Sequence, residues 1–462
     1  MTKRFFIEQF VDTILGNSTY LVGSHASQQA VLIDPLRDVD RYQSAAEKLS
    51  VSITHIIDTH LHADFVSGAR ELAAQIGATV GASAEAKVGF DHRALIEGDT
   101  VSFGDLNLKV MRTPGHTPEH ISFLLQQDSA PEALFSGGAL IVGGAARTDL
   151  ISHDLNEPLA RQLYHTLHDK LLLLPDEVNV YPTHGAGSFC VAPTSSDRVT
   201  TIGRERKFNH LAQAQSEGEF VKRALSGLPS YPFYYQYLRE VNQRGPKILG
   251  GVPKLTPLSA EETHGHIERG TIILDVRSLN AFAAGHIPGS YGIAVDTPLL
   301  IWVGWLIPFG AQLILVAKND RQREEATRQL IRIGYDSILG YLEGGIDSWV
   351  KAGLKIESIN EITVGKLRER LHGSGGITVL DVRQDDEWLA GHIPNAIHIE
   401  NGRLAGDDLN LPKDRPIAVH CAHGFRAMAG ISTLMRRGYT NVIQVKGGFS
   451  AWEEAGFEIE RN

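Results

Sequence analysis

The chain has 462 residues, of which 42% are hydrophobic and 21% charged, and its formal net charge is −10. This length exceeds one ordinary core, since domains hold roughly 100–200 residues, and it suggests three units. The composition excludes a disordered or fibrous protein, and the acidic balance argues against non-specific nucleic-acid binding and favours small-molecule chemistry.

Residues 1–200 alternate short strand-like runs with helical ones. The runs AVLID, THIID, LNLKVMRT, ISFLLQ, EALFS and VNVYPT predict strands, and FVSGARELAAQIG at 65–77 predicts a helix. Because strands outnumber helices, this part predicts a sheet sandwich with helices outside. A charged helical stretch follows at 205–240, and the Gly- and Pro-rich sequence after it predicts an interdomain linker at 241–258.

The C-terminal part of the chain repeats itself. ILDVRSLNAFAAGHIPGS at 273–290 returns as VLDVRQDDEWLAGHIPNA at 379–396, and EGGIDSWVKAG returns as KGGFSAWEEAG. Such a repeat predicts two tandem α/β domains. We expect an N-terminal domain at 1–240 and two repeated domains at 259–356 and 360–460.

The two cysteines, Cys190 and Cys421, fall in different predicted domains, so we expect free thiols and a reducing, cytoplasmic compartment. The N-terminus lacks the pattern of a signal peptide.

The longest apolar run, LLIWVGWLIPF at 299–309, contains Gly304 and Pro308 and is too short for a bilayer. It predicts a buried core segment. We therefore expect no membrane partner, and a homodimer is a further expectation.

Candidate metal ligands stand where strand-like runs end in turns. They are His60, His62 and Asp64 after THIIDT, His116 after VMRTPG, and His184 after VYPT. Strand ends gather at one edge in α/β architectures, so these distant residues can converge. Neutral imidazole is a ligand for zinc or iron, and three histidines leave a reactive position open. Ordinary polar roles are expected for the histidines without this context, namely His55, His92, His153, His165 and His168.

The motifs THLHAD, TPGHTPEHISFLL, SGGALIVGGAARTDL and YPTHGAG occur in this order. Together they resemble the metallo-β-lactamase fold, in its glyoxalase II and persulfide dioxygenase branch, over residues 5–240. The resemblance implies an αββα sandwich. Two-metal members carry a histidine directly after the aspartate, where this chain has Phe65, so one metal ion is expected.

In the dioxygenase branch, two histidines and an aspartate hold iron. By motif the histidines are His60 and His116, but Gly138 stands where the aspartate is expected, and Asp149 is too far along to be a simple replacement. The remaining set, with His62, is a three-histidine site for Fe(II), which is preferred, or Zn(II).

Four further residues lie in or near this motif set. Asp64 and His184 are expected on the second-metal side, where they orient water or substrate through hydrogen bonds or only hold loops. The resemblance to glutathione-using relatives makes Arg147 a candidate for binding a substrate carboxylate, with a surface arginine as the alternative. Cys190 is either a sulfur relay or a buried thiol, and the buried interpretation is favoured.

The second repeat contains VHCAHGFRAMAGISTLM, which predicts a strand ending at Cys421, a short loop, and a helix from Arg426. Such a loop points backbone N–H groups at the sulfur, and the helix dipole favours negative charge there. We therefore expect a low-pKa, partly exposed cysteine that accepts sulfane sulfur.

With LDVR, GHIPNA and KGGFSAW around it, this domain resembles rhodanese, the sulfurtransferase family. The resemblance implies that Cys421 carries sulfur and that Arg426 holds a charged donor, while Asp381 and Arg383 are structural. In the first repeat Ala317 falls opposite Cys421, so that domain is expected to be inactive. The expected anion cradle consists of Ala422, His423, Gly424 and Phe425.

These features predict a fusion enzyme of sulfur metabolism. A metal-dependent oxidation converts a low-molecular-weight persulfide, such as glutathione persulfide, to sulfite, and the rhodanese exchanges sulfur with thiosulfate or sulfite. Joining the domains raises the effective concentration of the shared intermediate. Two alternatives remain open: a zinc-dependent thioester hydrolase like glyoxalase II, and a non-catalytic N-terminal domain fused to an active rhodanese.

Overall fold

The structure is a computed structural model that describes residues 4–128, 130–191, 195–373, 376–406 and 408–461. Contacts divide the chain into two units, one of Met1–Pro253 with Ile331–Gly334 and one of Lys254–Leu330 with Tyr335–Asn462. None of the helices in the described ranges combines the length and apolar character that a membrane span needs.

The first unit contains most of the strands of the molecule. Its strands are β1 (Phe5–Asp12), β2 (Asn17–Ser24), β3 (Gln29–Ile33), β4 (Ser52–Ile57), β5 (Thr79–Ser83), β6 (Arg93–Leu95), β7 (Thr100–Phe103), β8 (Leu106–Arg112), β9 (Ile121–Gln127), β10 (Ala130–Gly137), β11 (Asn179–Pro182) and β12 (Thr200–Thr201). Its helices are α1 (Asp40–Leu49), α2 (Ala69–Ile76), α3 (Asn156–Asp169), α4 (Ile202–Phe208), α5 (Glu217–Ala224) and α6 (Tyr235–Arg244).

Two six-stranded sheets face each other in this unit. Their orders are β1-β2-β3-β4-β5-β6 and β12-β11-β10-β9-β8-β7. The core between them contains Tyr20, Ile33, Ile57, Phe103, Phe123 and Phe135. Tyr42 of α1 and Leu72 of α2 pack on the outer face of the first sheet, and Leu163 of α3 and Phe220 of α5 on that of the second. The predicted αββα sandwich is confirmed.

Both faces of the first sheet are covered, and this explains why its β2 strand contains no exposed residue. Every residue of β2 is buried, because one face of that strand meets the opposite sheet and the other meets helices. Helix α2 begins at Ala69, four residues later than the sequence pattern predicts, because the chain before it belongs to a loop. Gly68 donates its N–H to Pro35 O at 2.7 Å, and a Cβ at Gly68 would lie 2.2 Å from Leu36 O.

The second unit contains both repeats. The first consists of β13 (Pro257–Leu258), α7 (Ala260–Glu268), β14 (Ile272–Asp275), α8 (Leu279–Ala284), β15 (Tyr291–Gly292), α9 (Leu299–Leu306), β16 (Leu313–Val316), α10 (Asp320–Arg332), β17 (Ile338–Leu342) and α11 (Gly345–Lys351). The second consists of β18 (Asn360–Ile362), α12 (Val364–His372), β19 (Thr378–Asp381), α13 (Asp385–Ala390), β20 (Ile397–His398), β21 (Ile417–His420), α14 (Phe425–Arg436), β22 (Val442–Val445) and α15 (Gly448–Glu454).

The two repeats fold alike. Each forms a five-stranded sheet, with orders β13-β17-β16-β14-β15 and β18-β22-β21-β19-β20, which are the same arrangement of equivalent strands. The predicted tandem α/β domains are therefore confirmed. Phe282 and Ala283 of α8 pack into the core that contains Cys421, so the repeats share apolar contacts. Helix α9 is buried along its whole length, as its apolar sequence predicts.

Candidate metal centre and sulfur-carrying loop

Five polar side chains from three loops meet in the first unit. His60, His62 and Asp64 follow β4, His116 lies between β8 and β9, and His184 follows β11. None of the five is more than 4% exposed. Strands β8, β10 and β11 run in one direction, so their carboxyl ends lie at the same edge of the sheet, as the sequence pattern predicts.

Hydrogen bonds fix the ring orientation of two of these histidines. The Nδ1–H of His116 donates to the backbone oxygen of Arg147 at 2.6 Å. The Nδ1–H of His184 donates to Asn17 Oδ1 at 3.0 Å. Both partners are oxygens that only accept, so the proton of each neutral ring is on Nδ1. Each Nε2 therefore presents a bare lone pair, the form in which imidazole binds a metal.

The His60 ring is held in the same way. Its Nδ1 lies 2.8 Å from Thr59 Oγ1, and this hydroxyl donates its own proton to Asp34 at 2.8 Å. His60 Nε2 is therefore bare as well, and it lies 3.3 Å from His184 Nε2. Ligand atoms of His60, His116 and His184 all lie within 4.8 Å of one another. Because bare lone pairs this close repel unless a cation lies between them, the three rings fit a metal ion.

Burial keeps the imidazoles of His60 and His116 neutral. Burial, with the neighbouring imidazoles, lowers the pKa of His60 well below its ordinary value. Burial also lowers the pKa of His116 to about 3. Since a metal competes with protons for imidazole nitrogen, both rings are ready to bind a metal at neutral pH.

His62 and Asp64 form a second polar group beside these rings. His62 Nδ1 lies 4.0 Å from Asp64 Oδ1, and both side chains are fully buried. Within the described part of the chain, neither of these two atoms has a hydrogen-bond partner. Buried polar atoms are nearly always satisfied, so this pair also fits a cation. Ligand atoms of His62, Asp64 and His184 lie within 4.8 Å of one another.

The third histidine differs between the sequence prediction and the structure. The sequence groups His62 with His60 and His116, whereas the structure brings His184 to them. The reason is that His62 Nε2 lies 3.2 Å from Asp34 Oδ1 and is directed at that carboxylate, although the rings of His60 and His62 lie only 4.1 Å apart. Which set binds an ion stays a prediction.

Asp34 is a site residue that the sequence analysis missed. It directly follows β3, and its carboxylate accepts hydrogen bonds from the Thr59 amide at 2.7 Å, from the Thr183 hydroxyl and from His62. These bonds connect the loops after β4 and β11. The strand-end rule that selected the histidines would also have selected Asp34, because it ends the run AVLID.

Asn242 is a second missed residue, and it falls in the predicted linker. It belongs to α6, where its Nδ2 donates to the backbone oxygens of His62 and Phe65 at 2.8 and 2.9 Å. Its Oδ1 accepts from the amide of Ser67 at 2.9 Å. One side chain therefore holds the loop that carries the histidines. No local sequence pattern signals this role, since the partners are more than 170 positions away.

Cys190 lies in the loop after His184 and is fully buried, as predicted. Its thiol faces Asp64, and burial together with that carboxylate raises the pKa of the thiol well above its ordinary value. Its backbone oxygen accepts from the amide of Arg147 at 2.8 Å. A neutral thiol is a poor nucleophile, which disfavours a sulfur relay at this position.

Arg147 is neither a surface arginine nor free for a substrate carboxylate. It is 4% exposed, and its guanidinium donates to Asp149 at 2.6 and 2.8 Å. It also donates to the backbone oxygens of Phe189 and Pro229 at 3.1 and 2.7 Å. A bound carboxylate would have to displace these partners. Asp149 is engaged in the same pair, so it is not turned toward the histidines.

In the second repeat, Cys421 lies between β21 and α14. The amide of Gly424 donates to Cys421 Sγ at 3.1 Å, and the positive φ of Gly424, 116°, favours glycine there. The backbone oxygens of Cys421 and Ala422 point away from the loop and accept from the amides of Phe449 and Ser450 at 2.8 and 3.1 Å. The KGGFSAW motif therefore holds the backbone of the Cys421 loop in place.

The expected partial exposure of Cys421 is wrong. The residue is 0% exposed, because the loop folds over the sulfur and Val419 and Met428 pack around it. His423, at the middle of the loop, is exposed.

Arg426 lies in the first turn of α14, beside Cys421. Its guanidinium donates to both carboxylate oxygens of Glu387 on α13, one at 2.8 Å. The bidentate pair fixes the arginine next to the sulfur. Glu387 was not predicted, although its position in the acidic start of α13 is visible in the repeat.

Comparisons with known proteins agree with this geometry. The metallo-beta-lactamase superfamily matches residues 12–184, and the rhodanese-like domain matches residues 259–352 and 363–455. Mitochondrial persulfide dioxygenase ETHE1 of Homo sapiens is 30% identical over 217 residues, which are 47% of this chain and 79% of that relative. The chain belongs to the metallo-β-lactamase superfamily and continues into two rhodanese-like domains.

Two further matches include the metallo-β-lactamase domain, and the second of them extends beyond it. A hydroxyacylglutathione hydrolase of Rhodospirillum rubrum is 35% identical over 171 residues, which are 36% of this chain and 62% of that relative. The crystal structure of a metallo-beta-lactamase from Staphylococcus aureus is 30% identical, with a TM-score of 0.66, and the match covers 74% of this chain and 99% of that one.

In the first rhodanese-like domain, the loop equivalent to the Cys421 loop begins at Ala317, and its amides have partners within the domain. Ala317 stands where the second domain has Cys421. The amide of Lys318 donates to Gln322 Oε1 at 2.9 Å, and the amide of Gln322 donates to Asn319 Oδ1 at 3.0 Å. These amides are therefore satisfied by side chains of the loop and of the first turn of α10. That this domain is inactive stays a prediction.

Gly138 of the metallo-β-lactamase domain leaves no room for a side chain. A Cβ built there would lie 2.6 Å from Cδ2 of His116 and 3.0 Å from Cβ of Ala146. The Gly138 amide donates to Nε2 of the buried His120 at 3.0 Å. The ring of His120 stacks on the ring of His60, with centroids 4.9 Å apart. His120 therefore supports the histidine cluster, and this role was not predicted from the sequence.

Gly138→Asp is expected not to restore a carboxylate ligand. The new side chain displaces His116, so bound metal falls, and the free energy of unfolding falls by about 1–3 kcal/mol because the site is overpacked. Gly218→Ala is the control, since a Cβ at Gly218 in α5 meets no atom within 4 Å. Chemical denaturation and elemental analysis check this, and unchanged stability with more bound metal would contradict it.

Glu387→Gln tests the pair that orders Arg426 in the second rhodanese domain. Burial raises the pKa of Glu387, but the hydrogen bonds from Arg426 lower it more, so the net pKa lies below its ordinary value. The pair therefore contributes stability above the ordinary glutamate pKa of about 4.3, and this contribution is lost as pH falls through the lowered pKa.

The substitution is expected to lower the free energy of unfolding of the second unit at neutral pH by about 1 kcal/mol and to flatten its dependence on pH below 5. Urea denaturation at several pH values measures both effects. Glu369→Gln, on the exposed face of α12, is the matched control and should change neither. An equal pH dependence in wild type and Glu387→Gln would contradict the assignment.

Proposed function

We propose that the metallo-β-lactamase domain oxidises the terminal sulfur of a low-molecular-weight persulfide, such as glutathione persulfide, to sulfite, and that the second rhodanese domain transfers sulfane sulfur through Cys421. The proposal rests on one observation. Three imidazoles with unprotonated Nε2 atoms come together in a chain that also holds a thiol, Cys421, with a backbone amide directed at its sulfur. The persulfide dioxygenase relative supports the choice of substrate class.

The two reactions share their small molecules. In the first, a persulfide RSSH, one dioxygen and one water give RSH, sulfite and two protons, and the terminal sulfur loses the four electrons that dioxygen gains. In the second, the Cys421 thiolate attacks the outer sulfur of thiosulfate, the S–S bond of thiosulfate breaks, and sulfite leaves with that electron pair. In reverse, sulfite and a Cys421 persulfide give thiosulfate. The product of one domain is thus a substrate of the other, and linkage raises its local concentration.

In the metallo-β-lactamase domain, His60, His116 and His184 would hold one metal ion, with Fe(II) preferred and Zn(II) as the alternative. Ferrous iron would supply the activation of dioxygen that sulfur oxidation requires. The protein contributes orientation, because Asn17 and the Arg147 carbonyl fix two of the rings. Burial of the histidines excludes bulk water from the reacting sulfur.

In the second rhodanese domain, Cys421 Sγ would be the atom that takes the sulfane sulfur. The Gly424 amide stabilises negative charge on it, and Arg426, whose Nε has no hydrogen-bond partner among the described residues, would bind the sulfite part of the donor. His423 is an exposed additional contact to the anionic donor. The first rhodanese domain, with Ala317 in place of the nucleophile, would serve as a scaffold.

A zinc-dependent thioester hydrolase is the second candidate, and the hydroxyacylglutathione hydrolase relative favours it. Such a reaction needs a metal-activated water beside the acyl carbonyl. Phe65 and Gly138 weigh against it, since neither supplies the donors expected of a two-metal centre. A non-catalytic first domain is the third candidate.

We further propose that the protein works in the cytoplasm, where its two free thiols stay reduced. A homodimer stays a prediction.

Metal analysis with two assays separates the three candidates. Our proposal predicts iron in the purified protein, oxygen uptake on addition of glutathione persulfide, and sulfite as the product. Zinc with cleavage of an acyl-glutathione thioester would favour the hydrolase. Neither activity, with no bound metal, would favour the non-catalytic domain and contradict our proposal.

A further inference from the structure

Gln444 is a polar residue on the face of the sheet that carries the reactive cysteine of the second rhodanese domain. It belongs to β22, which pairs with β21 so that Gln444 lies opposite Val419, two residues before Cys421. Val442, two residues earlier on β22, packs into the core that contains Val419 and Cys421. Because alternate residues of a strand share a face, the side chain of Gln444 points to the same side as Cys421.

The carboxamide of Gln444 borders the Cys421 loop. A Cβ built at Gly424 would lie 3.2 Å from Gln444 Nε2, so the carboxamide lies against this glycine. The Gly424 amide is the group that donates to Cys421 Sγ at 3.1 Å. The side chain of Gln444 is therefore a neighbour of the backbone that holds the sulfur.

One end of this carboxamide has no partner. Gln444 is 6% exposed, and among the residues that the structure describes its Oε1 accepts no hydrogen bond. An unpaired buried polar atom costs free energy, and such atoms are rare in folded proteins. An apolar side chain of similar size would avoid this cost, so the carboxamide indicates a partner that binds during the reaction.

The first repeat shows that the fold itself does not require a carboxamide at this position. There, Tyr341 of β17 takes the equivalent place, opposite Leu315 of the neighbouring strand. The guanidinium of Arg323 lies 3.8 Å from the centre of the Tyr341 ring and covers it. The repeat that lacks the cysteine thus also lacks the buried carboxamide, which favours a role for Gln444 in sulfur chemistry.

We propose that Gln444 binds the outer sulfur of the Cys421 persulfide by donating a carboxamide N–H to it. When the Cys421 thiolate attacks thiosulfate, a new S–S bond forms, the S–S bond of thiosulfate breaks, and sulfite leaves with that electron pair. The negative charge of the thiolate then resides on the outer sulfur of the persulfide. The Gly424 amide donates to the inner sulfur, so the outer sulfur needs a further N–H group.

Rotation of the carboxamide about its terminal bond can turn its NH₂ group toward the persulfide. Since Oε1 accepts no hydrogen bond within the described ranges, this rotation breaks none at that oxygen. The inference rests on the proposed transfer of sulfur through Cys421.

The test measures how readily the full-length protein takes up sulfur. Wild type and Gln444→Met are equilibrated with mixtures of thiosulfate and sulfite, and the bound persulfide is quantified by its reaction with cyanide, with Cys421→Ser as the blank. For Gln444→Met we expect the thiosulfate-to-sulfite ratio that loads half of the protein to rise about tenfold or more, as for loss of a hydrogen bond to a charged group.

Stability in urea separates this role from a structural one. Gln444→Met should leave the denaturation midpoint unchanged or raise it, because it removes an unpaired buried oxygen. Gln329→Met is the matched control in α10. Gln329 is also buried, but its Nε2 donates to Glu325 at 2.9 Å and its Oε1 accepts from the Leu300 amide at 3.4 Å. This control should lower the midpoint and leave the half-loading ratio unchanged.

The outcomes distinguish the inference from the proposed function. An equal half-loading ratio in Gln444→Met and wild type would overturn the inference and leave sulfur transfer through Cys421 standing, and so would a higher ratio that comes with a lower midpoint. A wild type that forms no persulfide would overturn both. If Gln444→Met does not fold, Gln444→Glu decides, since an ionised carboxylate donates no hydrogen bond: a higher ratio supports the inference, and an equal ratio overturns it.

Discussion

Cys421→Ser is expected to lower thiosulfate sulfurtransferase activity on the order of 10³-fold or more, because the nucleophile that carries sulfur is removed. Serine is close in size, so the loop closed by Gly424 and Phe449 should persist. The measurement is the rate of sulfur transfer from thiosulfate to cyanide.

The same variant should keep persulfide-dependent oxygen uptake and its bound metal, since the histidine cluster lies in another domain. Cys190→Ser is the matched control and should retain sulfurtransferase activity. If Cys421→Ser transferred sulfur at the wild-type rate, the assignment of Cys421 as sulfur carrier would be wrong.

His184→Ala is expected to weaken metal binding as strongly as His116→Ala does. Both rings present a bare Nε2 to the cluster, and loss of even an outer-shell partner costs roughly 10–100-fold in metal affinity, so loss of a ligand should cost about 10²-fold or more. Oxygen uptake should fall with the bound metal. Competition with a chromophoric chelator measures the affinity.

His62→Ala distinguishes the two histidine sets. If the structure groups the donors correctly, this variant loses less affinity than His184→Ala, because His62 Nε2 faces Asp34. The reverse order would favour the set that the sequence predicts. Sulfurtransferase activity is the folding control, and it should be unchanged in all three variants.

The strand-end rule predicted which residues of the metal centre converge, but not how their rings point. His60 and His116 lie together because β4 and β8 end near each other, which alternating sequence patterns reveal. Ring orientation depends on Asn17 and Asp34, whose contacts with His184 and His62 no local pattern encodes. The choice between the two remaining histidines therefore required coordinates.

The repeat predicted the two rhodanese domains well because both copies retain the same turns and strands. The burial of Cys421 was not predicted, since exposure depends on how Val419 and Met428 pack around the loop. The late start of α2 has a similar cause. Gly68 fits the helical pattern, but its amide donates to Pro35 O at 2.7 Å, in a distant loop, rather than to a carbonyl of a preceding helical turn.

Anomalous diffraction at the iron and zinc edges, on crystals of the purified full-length protein, shows whether the three histidines bind one metal ion. We expect an ion bonded to the Nε2 atoms of His60, His116 and His184. Crystals that show no anomalous peak within bonding distance of these three nitrogens, grown from protein that still consumes oxygen with a persulfide, would contradict it.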